Sequence, residues 1–101
     1  MNLNKMSLKA YEIARARSQY VYDGRDGERG LKHCAGEVVE ACNSYNEWIY
    51  NAHRTEGAER KAEFAGELAD VITCVLSLCG YFQIDIEQAL KDCMKKNEAR
   101  A

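Results

Sequence analysis

Proline is absent from this chain of 101 residues, and with it the residue that breaks helices and shapes many tight turns of sheet proteins. Aromatic residues are few, at 9%. There is no block of like charge long enough to serve as a nucleic-acid arm, and 14 basic against 16 acidic side chains leave a formal net charge of −2. Binding to a nucleic-acid polymer is therefore not expected. Nor is there a long apolar run: the densest, residues 71–82, is interrupted by Thr73, Ser77 and Gly80. It is too short to cross a bilayer and reads as a buried helix, so no membrane association is expected. Residues 1–6 carry Asn and Lys in place of the apolar core of a secretory signal. Five cysteines, Cys34, Cys42, Cys74, Cys79 and Cys93, form neither a C-x-x-C pair nor a Cys/His zinc spacing. They read as small, reduced core residues of a cytoplasmic protein.

What is present favours helices. Alanine, glutamate, lysine, arginine and leucine are abundant and all propagate a helix well, so the expected class is all-α, with residues 1–101 as one domain. A chain this short hides a modest share of its surface, which makes a homodimer or tetramer the expected assembly. Met6, Ala10, Ile13, Ala14 and Val21 recur at helical steps, predicting a first helix with Ser7 as N-cap and an end near Asp23. Glycines and charges over residues 23–30 predict a loop, mobile or ligand-binding. A second helix is expected over residues 31–53, with Ala35, Val38, Val39, Cys42, Tyr45, Ile49 and Ala52 as its core stripe. A third follows Gly57 to about Tyr81, its second half forming the centre of the bundle. Asp85 then reads as an N-cap with Gln88 as capping-box partner, opening a fourth helix through Leu90 and Met94 towards Arg100. Four helices on short connections make a bundle.

Sixteen acids would give roughly two or three i, i+3 pairs by chance, and four exist: Asp23/Asp26, Glu37/Glu40, Glu56/Glu59 and Glu67/Asp70. The first lies in the glycine segment and the third at a helix start, where the dipole favours acids. Glu37/Glu40 and Glu67/Asp70 instead lie mid-helix beside Val38, Val39, Leu68, Val71 and Ile72. Spacing of i, i+3 sets both carboxylates of a pair on one face. Opposed faces would bring four carboxylates together, which is costly unless a cation compensates. Oxygen-only ligation selects Mg²⁺, Mn²⁺ or Ca²⁺ over zinc or copper. A di-iron site would need Glu-x-x-His, and Gly30 and Tyr50 stand three before His33 and His53. On the residues alone, the two pairs fit either a carboxylate metal site or a solvated acidic face.

The segments Gly36-Glu37-Val38-Val39-Glu40-Ala41 and Gly66-Glu67-Leu68-Ala69-Asp70-Val71-Ile72 resemble the MazG-like all-α nucleoside triphosphate pyrophosphohydrolases, as does the Asn97-Glu98-Ala99-Arg100 tail. The resemblance runs from about residue 31 to the C-terminus. It implies a Mg²⁺ (or Mn²⁺) site made by Glu37, Glu40, Glu67 and Asp70, and cleavage of the α–β phosphate bond to give a nucleoside monophosphate and pyrophosphate. Glu37 or Glu40 would also orient the attacking water. Asn97 and Arg100 carry over as nucleotide contacts. Where the family often has a Lys four residues before the terminal Asn, this chain has Cys93, which leaves phosphate contact to Lys91, Lys95, Lys96 or Arg100. Trp48 and Tyr45, one or two turns beyond Glu40, could stack a base or serve as packing. Arg29, Lys32 and His33 stand at the second helix's start, where a phosphate could be met. Two rival classes share these residues: a non-catalytic helical regulatory module that keeps the acidic face, and a cation-buffering protein.

Overall fold

The structure is a computed structural model that describes residues 2–19, 26–52, 54 and 56–101. Four helices and no strand occur among them: α1 (Leu3–Ala16), α2 (Asp26–Tyr50), α3 (Gly57–Phe82) and α4 (Ile86–Arg100). The expected all-α class holds. No single helix is long and apolar enough to cross a membrane.

α3 is the axis. Residues Leu76–Gly80 are all buried, as the apolar second half of that helix predicted, because α1 covers one side and α2 another. α1 approaches through its smallest side chains: Ser7, Ala10 and Ala14 are buried at helical spacing, and the Ser7 hydroxyl donates to the Leu76 carbonyl at 2.7 Å. Gly80 completes this contact, since a Cβ there would meet the Ser7 carbonyl oxygen at 2.7 Å and the Tyr11 Cβ at 2.6 Å. Ser7 is therefore a packing residue and not an N-cap. That role falls to Asn2, whose side chain accepts from the Lys5 amide. α1 also stops earlier than expected, at Ala16, with Arg17 as C-cap and Ser18 at positive φ. Val21, Asp23, His53 and Thr55 lie outside the described residues.

The glycine segment is the second correction. Its last part, Asp26 to Gly30, opens α2. Asp26 is fully buried (0% exposed) and bonds Arg29 Nη1 at 3.0 Å, which offsets part of the cost of glycine in a helix, and Gly27 lies against the Phe82 ring, which a Cβ there would have to displace. Acids in a first turn also suit the helix dipole.

α2 and α3 run antiparallel, with Cys34 meeting Cys74 at one end and Trp48 stacking on Phe64 at the other. The packed face of α2 is Cys34, Glu37, Ala41, Ser44 and Trp48, all buried or half-buried. The expected core stripe is rotated from it by about a third of a turn. Val38, Val39 (59% exposed), Tyr45 and Ile49 face outward, as do Leu68, Ile72 and Val75 of α3, and Ala35, Cys42 and Ala52 are exposed as well. Cys34 and Cys79 are buried and Cys74 half-buried, whereas Cys42 and Cys93 are exposed, so the expectation of five core cysteines holds for three.

α4 buries no residue and turns 117° from α3. Asn4 ties its start to α1: its side-chain oxygen accepts from the Ile86 and Glu87 amides, and its amide nitrogen donates to Asp85 at 2.9 Å. Asp85 is the N-cap, accepting from the Gln88 amide at 3.0 Å. Only that half of the capping box forms, because Gln88 Nε2 donates to Asp92 instead. The radius of gyration, 16.1 Å, exceeds the about 13 Å of a compact domain of this length.

Gly80→Ala is expected to destabilise the protein by about 1–3 kcal/mol through overpacking. Gly66→Ala, where a Cβ meets nothing within 4 Å, is expected to stabilise α3 by about 0.5–1 kcal/mol. Urea midpoints of the two variants should move in opposite directions.

Candidate metal centre

Mid-way along the α2/α3 seam, carboxylates replace apolar contacts. One oxygen each from Glu37, Glu67 and Asp70 lies within 4.8 Å of the other two. Glu37 comes from the packed face of α2 and Glu67 from that of α3, while Asp70, one turn on, is exposed at the edge. The i, i+3 spacing and the antiparallel register together bring them into one group. Glu40 lies outside this group, and its negative charge acts on Glu37.

The electrostatics are unfavourable without a counter-charge. Burial pushes the Glu37 carboxyl above its ordinary range, and the negative charges of Glu40 and Asp70 push it further, against the opposing effect of His33. His33 Nε2 stands 3.5 Å from Glu37 Oε1, and the Glu37 side chain is only 17% exposed. Glu67 Oε2 is buried with no hydrogen-bond partner. An unpaired buried carboxylate oxygen is costly. The three converging oxygens form a set that could hold a metal ion, and hard oxygen donors suit a hard divalent cation.

Two clefts flank the group. A cleft of about 490 Å³ between α1, α2 and α3 is lined by Glu37 and Asp70 together with Arg17, Arg29, His33 and Cys74. On the other side a more open one of about 580 Å³ is lined by Glu40 and Glu67 with Asn43, Ser44, Glu47 and Glu63. Beyond the second cleft Tyr45, Trp48 and Phe64 form an aromatic cluster, Trp48 stacked on Phe64 at 5.7 Å and 24°. Trp48 therefore belongs to the packed face of α2.

With that geometry established, comparison with known proteins is decisive on one point: the family model for the MazG nucleotide pyrophosphohydrolase domain matches residues 28–101. This chain belongs to the MazG family. No curated protein and no solved structure matches it. The acidic group of this MazG chain thus lies within the matched segment, on its first two helices.

The expected substrate contacts on α4 are not brought to the acidic group within one chain. Neither cleft is lined by an α4 residue among the described residues. Asn97 donates to Cys93 Sγ of its own helix at 3.7 Å, and Lys96 and Arg100 are exposed. Sequence reasoning missed the cleft-lining Arg17, Thr73, Cys74 and Ser77. Thr73, Cys74 and Ser77 follow Asp70 at three-, four- and seven-residue steps, a signal that could have found them. Arg17 follows the last turn of α1 and only the docking of α1 on α3 brings it near. Cys34 Sγ donates to Cys74 Sγ, and burial, reinforced by that contact, pushes the Cys74 thiol up to about 12. It stays protonated at neutral pH.

Because folding raises the affinity of Glu37 for its proton, stability in a chelator should fall as pH rises from the ordinary glutamate range through the raised value. Glu37→Gln should reduce that fall and raise the melting midpoint of the metal-free protein at pH 7. An unchanged midpoint would show that the carboxylates do not repel one another.

Proposed function

We propose that this protein is a Mg²⁺-dependent nucleoside triphosphate pyrophosphohydrolase, cleaving the α–β phosphate bond to give nucleoside monophosphate and pyrophosphate. One observation carries the reading: in a chain of the MazG family, one oxygen each of Glu37, Glu67 and Asp70 lies within 4.8 Å of the other two, and Glu67 Oε2 is buried without a hydrogen-bond partner. Glu37, Glu67 and Asp70 would hold the ion, with Mn²⁺ as an acceptable substitute. Bound there, it would supply charge neutralisation for the phosphate oxygens.

The remaining roles fall to the chain's own groups. Glu40 stands outside the three-oxygen group and is exposed, one helical turn from Glu37 on α2. These are the properties of a residue that orients water and accepts its proton. Its oxygen bonds to the α-phosphorus, the α–β bridging oxygen leaves with the pyrophosphate, and the water proton passes to the carboxylate. The outward faces of α2 and α3, with Val39 and Ile72 each 59% exposed, support a homodimer or tetramer as the working assembly. In it α4 of one copy would carry Asn97, Lys96 and Arg100 to the acidic group of another. Trp48 would then meet the base from the edge of its aromatic cluster.

With Mg²⁺ and a panel of canonical and modified nucleoside triphosphates, pyrophosphate is the expected product. Glu67→Gln or Asp70→Asn should lower turnover more than about a hundredfold while leaving helicity by circular dichroism intact. Orthophosphate as sole product, or full activity in either variant, excludes this mechanism. No turnover with any triphosphate would favour the regulatory module.

If the pocket is shared between copies, mixing Glu67→Gln with Asn97→Ala protein should restore activity above that of either alone. Failure to complement would return Asn97 to its own surface.

A further inference from the structure

The two clefts beside the acidic group differ in charge, and that difference gives the substrate a direction. Four glutamates, Glu40, Glu47, Glu63 and Glu67, line the open cleft, and its described lining includes no Lys or Arg. A polyphosphate tail placed there would face four like charges at close range. The cleft between α1, α2 and α3 carries both signs. Arg17 and Arg29 line it together with His33, while Glu37 and Asp70 form its acidic side. At about 490 Å³ it falls within the range of small-ligand pockets. Cations and carboxylates lining one cleft complement a polyphosphate whose inner oxygens would sit on a divalent ion.

We infer that Arg17, with Arg29 beside it, binds the departing pyrophosphate in the cleft between α1, α2 and α3. This rests on the pyrophosphohydrolase reading for its substrate class. Breaking the bond between the α-phosphorus and the bridging oxygen leaves that oxygen, and its negative charge, on the pyrophosphate. Guanidinium groups present paired donors that match phosphate oxygens. Arg29 is held in place by the fully buried Asp26 at 3.0 Å, which reduces the ordering needed when the anion binds. Arg17, at the C-cap of α1, lies before residue 28, where the family match begins. Arg17's share of the basic lining therefore depends on how this chain docks α1, whereas Arg29 and His33 come from α2 within the matched segment, and the nucleoside would lie on the opposite side, towards Glu40 and Trp48.

Calorimetric titration of the full-length protein with inorganic pyrophosphate in the presence of Mg²⁺ tests this. Arg17→Ala should weaken pyrophosphate binding about tenfold or more while leaving Mg²⁺ affinity and the circular dichroism spectrum unchanged. Arg17→Lys, which keeps the charge and loses the fork, should fall between the two. Pyrophosphate affinity within twofold of wild type in Arg17→Ala, an equal loss of Mg²⁺ affinity, or no measurable pyrophosphate binding by the wild type would overturn the inference. Triphosphate turnover, measured separately, distinguishes the two readings. Arg17-dependent pyrophosphate binding without hydrolysis of any triphosphate would remove the enzyme and leave the anion site. Hydrolysis with Arg17-independent pyrophosphate binding would do the reverse.

Discussion

Carboxylates forced together at the seam between two packed helices are the constraint on which this structure turns. Glu37, Glu67 and Asp70 converge because α2 and α3 are clamped on either side of them. Below lies the cluster of Ala14, Cys34 and Leu78, with Tyr11, Cys74 and Tyr81 packed against it. Above lies the Tyr45, Trp48 and Phe64 cluster. Apolar burial and aromatic contact at both ends contribute the favourable free energy that offsets repulsion and desolvation in the middle. The price of that arrangement is a site whose own charges oppose folding, and an ion bound there would add stability by mass action.

α1 has a different task. Its small residues let it lie close on α3, fixed by the hydroxyl of Ser7 and the missing side chain of Gly80. That closeness builds the third wall of the cleft between α1, α2 and α3 and brings Arg17 into the same lining as Asp70. One side of the acidic group consequently meets cations while the other meets further carboxylates. A charge asymmetry of this kind orients a substrate with one anionic end.

The outward apolar faces follow from the same geometry. α2 has two useful stripes: one, interrupted by Glu37, meets α3, and the other, richer in Val, Tyr and Ile, remains on the surface. With Met94 63% exposed on an α4 that touches mainly α1, a single chain leaves more apolar surface open than a compact monomer would. α2 thus carries an acidic, packed face against α3 and a second, apolar face that this chain leaves largely uncovered.

Much was legible in the amino-acid order. The lack of proline, the helical recurrence of apolar residues and the cap at Asp85 specify four helices, because those are local properties of a few adjacent residues. The two i, i+3 acid pairs mark the site for the same reason, and the Glu-Leu-Ala-Asp-Val-Ile segment marks the family. Tertiary packing decided the rest. It turned Ser7 from a cap into a buried contact and drew Asp26, Gly27 and Gly30 into α2 by burying the Asp26 carboxylate and laying Gly27 against the Phe82 ring. It also chose the stripe of α2 bearing Glu37 over the more hydrophobic one, set Glu40 apart from its three companions, and brought Arg17 to the cleft. Each of these depends on which helix lies against which, and the free energy of such contacts comes from residues tens of positions apart, so no local window contains it.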